Sequence, residues 1–179
     1  EDAHWNARAN AAWSLAQVGA KGQRGHLAEL LVRRSKGRDW GFACALAFAV
    51  EKLGGEGGRE VLLRALAPES ISARNTGFTR IAVRAVGELG MAEACPLLKV
   101  AMDHPEVFLK KEAFRAAASL KCRDVDVHRS LAAGLNARVP SVRKEAARAL
   151  HTLTGYEFET LQQWQKYEST RDGNSLQSP

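Results

Sequence analysis

The sequence predicts an all-α solenoid, a single array of tandem antiparallel helix pairs stacked side by side. Three observations predict it. Five segments of the 179-residue chain align at spacings of 35, 36, 31 and 33 residues, close to the periods of helical-pair repeats, roughly 33–47 residues. Within the segments apolar or small residues recur at steps of four, three and four, which keeps one face of an α-helix. No stretch shows the apolar–polar alternation of a half-buried strand.

The five aligned segments are Ala7 to Gly19, Phe42 to Gly54, Phe78 to Gly90, Leu109 to Lys121 and Val142 to Thr154. Their first column reads Ala7, Phe42, Phe78, Leu109, Val142. The second reads Ala11, Leu46, Ala82, Ala113, Ala146, and the last Val18, Leu53, Leu89, Leu120, Leu153. Between these two, one column is small in every copy: Ser14, Ala49, Ala85, Ala116, Ala149. Small residues let neighbouring helices approach closely. Gly19, Gly54, Gly90 and Gly155 stand where a left-handed residue stops a helix.

Shorter helices are expected between them, over about Gly25 to Arg34, Gly58 to Leu66, Ala92 to Met102, Val125 to Leu135 and Glu157 to Tyr167, each with apolar residues at helical spacing. Pro96 falls in a first turn, where proline is tolerated. If the short helices are named A and the long ones B, the order is one B helix, four A–B pairs and a terminal A helix, about ten helices in a right-handed stack. The array spans residues 1–168. The stripe Phe158, Leu161, Trp164 is expected to pack on Leu150 and Leu153. Residues 169–179 are too polar to offset the entropy of ordering and read as a disordered tail. The loop Pro68 to Thr76 is polar and reads as mobile. The chain opens at Glu1 without an initiator Met and directly in a B helix, so a fragment of a longer array is expected.

Composition narrows the function classes. Hydrophobic residues make up 45% and charged residues 26%, the ordinary soluble mixture. The longest apolar run, Phe42 to Val50, is about half a membrane span, and no signal peptide is visible. Three cysteines, Cys44, Cys95 and Cys122, lie far apart without a CxxC, an odd count that argues against a disulfide framework and against a zinc site. A reducing compartment, the cytoplasm, is then the simplest setting. The net charge of +6 permits an acidic partner without requiring one.

The segment Cys95-Pro96-Leu97-Leu98, followed by Ala101-Met102-Asp103 and His104-Pro105-Glu106-Val107, resembles the first helix and turn of a HEAT-like repeat. Val142-Arg143-Lys144-Glu145-Ala146-Ala147-Arg148-Ala149-Leu150 resembles the second. The likeness is to the bacterial HEAT-like repeats first catalogued in phycobilisome lyases and covers about Trp5 to Thr154. It implies a HEAT-like or armadillo-type superhelix whose second helices line a concave side, and it says little of function. The pattern is incomplete: the arginine of the second helix stands at Arg8 and Arg143 but is Ala43 and Thr79 elsewhere.

Two sets of residues are candidates for binding. Arg80 and Arg84, Lys111 and Arg115, Lys144 and Arg148 recur four residues apart on three B helices, opposite the apolar columns, and form a ladder suited to phosphates. The plainer reading is solvated charge, with Glu112 and Glu145 each three residues before an arginine and placed to absorb part of it. Trp13 and Phe48 share a column with Arg84, Arg115 and Arg148, and an exposed aromatic there suits a protein hot spot or base stacking; packing under an absent helix is the alternative for Trp13 and for Trp5.

The five histidines sit at unrelated repeat positions with no HExxH or i, i+4 pair, so no metal site is expected. There is no GxSxG and no phosphate-binding glycine loop; the run Gly54 to Gly58 joins two helices. No His-Glu dipeptide matches the HEAT-like di-iron hydroxylases, and no Asp on the exposed B-helix columns matches the HEAT-like DNA glycosylases. A bilin lyase finds no pocket rich in Cys or Tyr. The sequence thus predicts a non-catalytic scaffold without cofactor that binds a partner protein, with nucleic acid or another polyanion as the alternative ligand.

Overall fold

The computed structural model describes residues 5–34, 40–71 and 76–175, residue 5 and residues 171–175 by backbone alone. It is all-helical, 79% helix, with ten α-helices and no strand among the described residues. They are α1 (Trp5–Gln17), α2 (Arg24–Arg34), α3 (Trp40–Lys52), α4 (Gly58–Ala65), α5 (Thr76–Leu89), α6 (Cys95–Asp103), α7 (Val107–Ser119), α8 (Val125–Gly134), α9 (Pro140–Thr154) and α10 (Leu161–Ser175). Short 3-10 turns precede α2 and α6, and another, Pro68–Ser70, follows α4. The loop expected to be mobile lies partly outside the described residues, which stop at 71 and resume at 76.

The odd-numbered helices pack each on the next: α1 on α3, α3 on α5, α5 on α7 and α7 on α9. The even-numbered ones pack against them and each other, α2 and α4 on α3, α6 on α7, α8 on α6 and α9, α10 on α8. The apolar columns meet between the rows. Leu46, Leu62, Leu98, Leu109, Phe114 and Leu150 are all fully buried. The small column allows a close approach of α5 and α7. A Cβ added at Gly87 would lie 3.3 Å from Ala116, and Ser119 Oγ donates to the Gly87 carbonyl at 3.1 Å.

Helix α3 is buried from Gly41 to Val50. Its sequence, apolar on every face, suits a helix covered all round. Glu51 near its end accepts from the backbone N–H groups of Gly58 (2.9 Å) and Arg59 (3.0 Å) and so caps α4. Glu106 caps α7 and Asp124 caps α8 in the same way. Pro140 begins α9, and Gly155 ends it at φ +79°.

Three expectations are corrected. In α1 the buried positions are Ala9, Ala12 and Ala16, whereas Ala7, Ala11 and Ser14 face solvent and Val18 is 77% exposed. The helix is rotated because it buries its alanines against α3. The last helix begins at Leu161 rather than Glu157, with Phe158 buried in the loop before it. It then continues to Ser175, so residues 169–175, expected as a disordered tail, are helical; residues 176–179 lie outside the described residues. Trp164 is buried as expected, edge-on to His128 of α8 at 6.0 Å and packed with Phe158 at 5.3 Å.

The cysteine reading is corrected as well. Cys95 at the start of α6 and Cys122 just after α7 form a disulfide, with Cα atoms 5.6 Å apart. The α6–α7 hairpin brings together residues 27 apart in sequence. The argument for a reducing compartment, which rested on unpaired cysteines, falls with it, since disulfides persist in oxidising environments. Cys44 remains free and fully buried in α3. Burial pushes its thiol up to about 12, so it is protonated and inert at neutral pH.

Candidate functional site

A groove runs across the odd-numbered helices, its successive stretches sharing Arg84, Glu112, Arg115 and Ser119. At one end Asn6, Asn10 and Ser14 of α1 face Gly77, Ile81 and Arg80 of α5 across a trough of about 460 Å³, with Ala9 and Ala45 in its lining. Arg84 and Glu112 line both this trough and the next stretch, between α5 and α7. Arg115 and Ser119 carry it on to α9, where Arg148 and Thr152 line the far end.

The trough is bounded at one end because α1 and α5 meet over α3. Trp13 of α1 stacks on Phe48 of α3, centroids 3.7 Å apart, and the Arg84 guanidinium of α5 lies 4.5 Å from the Trp13 centroid. One turn further on, Gln17 Nε2 donates to Glu88 at 3.0 Å. Both pairs join residues 71 apart, so α1 and α5 run parallel and in register.

This geometry corrects the aromatic candidates. Phe48 is fully buried and forms the floor beneath Trp13. Trp13 is half-buried with both ring faces occupied, by Phe48 and by Arg84, so neither face is free to stack a base. Its Nε1 is buried without a hydrogen-bond partner among the described residues. The side chain of Trp5 lies outside the described residues.

Of the six cations of the ladder, Arg80, Arg84, Arg115 and Arg148 line the groove, and the six differ in what holds them. Arg84 is paired with Glu88 at 2.9 Å. Arg115 bridges two helices, at 3.0 Å from Glu112 on its own helix and 2.7 Å from Glu145 on α9. The nearly buried Glu145 carboxylate, hydrogen-bonded to it, raises the Arg115 guanidinium above its ordinary value. The expected Glu112–Arg115 pair forms, whereas Glu145 turns to Arg115 rather than to Arg148. Arg80 and Lys111 flank the exposed Phe108 ring at 5.4 and 5.9 Å. Arg80, Lys111, Lys144 and Arg148 have no carboxylate partner among the described residues.

Sequence reasoning missed Asn6, Asn10, Phe108 and Glu88. The two asparagines stand four residues apart on α1, a spacing visible in the chain, but the wall they face belongs to a helix two positions along the row. Among the described residues no group of His, Cys, Asp or Glu is arranged to hold a metal ion, and no helix is long and apolar enough to cross a membrane. No protein-family model matches the chain, and no curated protein matches it.

Proposed function

We propose that the chain is an α-solenoid of HEAT-like repeats that acts as a non-catalytic scaffold and binds a partner protein along the groove. The observation that carries this reading is the charge mosaic of the groove. Glu88, Glu112 and Glu145 lie among its cations and hold Arg84 and Arg115 in ion pairs. A protein surface, itself of mixed sign, complements such a pattern; a phosphate backbone, uniformly negative, meets three carboxylates in its path. The HEAT-like assignment is supported by the column register and by the in-register packing of the odd-numbered helices. Arrays of this kind present an extended binding surface without needing chemistry.

Nucleic acid is the second reading. It is favoured by Arg80, Lys111, Lys144 and Arg148, which have no carboxylate partner among the described residues, and disfavoured by the occupied faces of Trp13.

A photo-crosslinking residue placed at Thr152, in the groove, and at Ala133, exposed on α8, tests the reading in cells that make the protein. Discrete protein adducts are expected from Thr152 and not from Ala133. Adducts that disappear on nuclease treatment, or equal labelling from both positions, would overturn the protein-binding reading.

A further inference from the structure

We propose that the trough between α1 and α5 binds a short extended peptide segment bearing carboxylate side chains. This rests on the protein-binding reading of the groove and names the chemistry of the segment that enters its α1–α5 end.

The width selects an extended chain. Helices α1 and α5 flank α3, and neighbouring helices pack with axes about 8–10 Å apart, which places the two flanking axes at most about 16–20 Å apart. Removing one helix diameter, about 10–12 Å, leaves a gap of at most about 10 Å. A single extended strand fits that gap; a helix or a duplex does not. The length is limited too. From Asn6 to Ser14 the wall rises about 12 Å, and the Trp13–Arg84 and Gln17–Glu88 contacts close the far end. About three to four extended residues span that distance at roughly 3.4 Å each.

The two walls offer different chemistry. On α1, Asn6 and Asn10 are exposed and their carboxamides have no hydrogen-bond partner among the described residues. Each carboxamide carries both a donor and an acceptor, the pair that a peptide unit needs. Their separation along the helix, about 6 Å, approaches the roughly 6.7 Å between alternate residues of an extended chain. On α5, Arg80 lines the trough with its guanidinium over Phe108 and no carboxylate partner among the described residues. Glu112, the carboxylate in the lining, is engaged by Arg115 at 3.0 Å. The charge free to meet a ligand in the trough is therefore positive, facing a wall that reads backbone. An extended segment with its main chain on the asparagines and a carboxylate on Arg80 satisfies both.

The probe is the peptide acetyl-Glu-Ala-Glu-Ala-Glu-amide, titrated into the full chain and followed by the side-chain amide signals of Asn6 and Asn10 in nitrogen–proton correlation spectra. Saturable shifts of both signals are expected. The glutamine analogue and the Arg80→Gln variant should each bind about tenfold more weakly, the loss of one charge-assisted hydrogen bond. Asn10→Ala should also weaken binding, while Arg148→Gln, at the far end of the groove, should change it less than about twofold. Arg80 is exposed, so its variant is expected to keep the wild-type far-ultraviolet spectrum.

Absent shifts, equal binding of the glutamine analogue, or an Arg80→Gln variant that binds like wild type would overturn the proposal. Tighter, Arg80-dependent binding of an eight-residue oligothymidylate would overturn it in favour of a single-stranded nucleic acid. If the peptide fails while groove-specific protein adducts persist at Thr152, the scaffold reading stands and only the acidic-segment chemistry falls.

Discussion

Replacing Cys95 and Cys122 by alanine should destabilise the chain by about 3.5 kcal/mol, the loop-closure entropy released when a bridge across roughly 28 residues is removed. The sequence separation of 27 sets that figure. The two positions are 8% and 2% exposed, so loss of the sulfurs also leaves a small void that adds to the cost. For a chain of this length the change corresponds to a fall in Tm of about 7–14 °C. Urea unfolding followed by circular dichroism measures it directly, and a reductant added to the wild type should reproduce most of it. Thiol titration supplies an independent check. The folded protein should show no rapidly reacting thiol, because Cys44 is buried and protonated with its thiol pushed up to about 12. The unfolded, unreduced chain should show one thiol, and three after reduction. A destabilisation below about 1 kcal/mol, well outside the range of native disulfides, or three thiols in the unreduced unfolded chain would refute the reasoning.

Two further substitutions test the packing. Lys121 follows α7 at φ +53°, where the first three copies carry glycine; Lys121→Gly should raise stability by about 0.5–1 kcal/mol by removing the left-handed cost of a side chain, and a loss in urea unfolding would count against that account. Trp164 is 1% exposed, and Trp164→Ala should lose about 3–5 kcal/mol; a loss below about 1 kcal/mol would mean that α10 does not hold the end of the array.

The helices were legible because each carries its own period. The first three positions of the columns from Phe42, Leu109 and Val142 are buried where the sequence places them, and Pro96 stands in the first turn of its helix as expected. What escaped is whatever depends on the next element but one. Phe48 shares a column with Arg84, Arg115 and Arg148, and periodicity alone places it in the groove; it is buried because α1 and α5 close over α3. The disulfide joins the start of α6 to the residue after α7, a contact made by how a helix pair folds back, to which single-helix periodicity is blind. The rotation of α1 has the same origin, since its buried face is set by α3 rather than by its own apolar pattern. Residues 169–175 were misread for a different reason. Composition alone argued against ordering them, but they extend a helix already nucleated at Leu161, and propagation is far less costly than nucleation.

The ladder also limits how a duplex would bind. Of its six cations, Arg84 and Arg115 are held by carboxylates, which leaves Arg80, Lys111, Lys144 and Arg148 to meet phosphates. Each neutralised phosphate contributes about −0.9 to the slope of log affinity against log salt, so four contacts give about −3.6. Raising salt from 50 to 200 mM would then weaken binding about 150-fold, short of the roughly 10³ to 10⁵ of proteins that make six to ten phosphate contacts. A slope steeper than about −5 on a random duplex would require Arg84 and Arg115 to leave Glu88, Glu112 and Glu145. Glu145 is only 10% exposed at its side chain, and a carboxylate abandoned there costs about 1–3 kcal/mol or more. The ion pairs that hold Arg84 and Arg115 are therefore the contacts that a phosphate track would have to break, whereas Arg80 and the α1 asparagines have no such partner among the described residues.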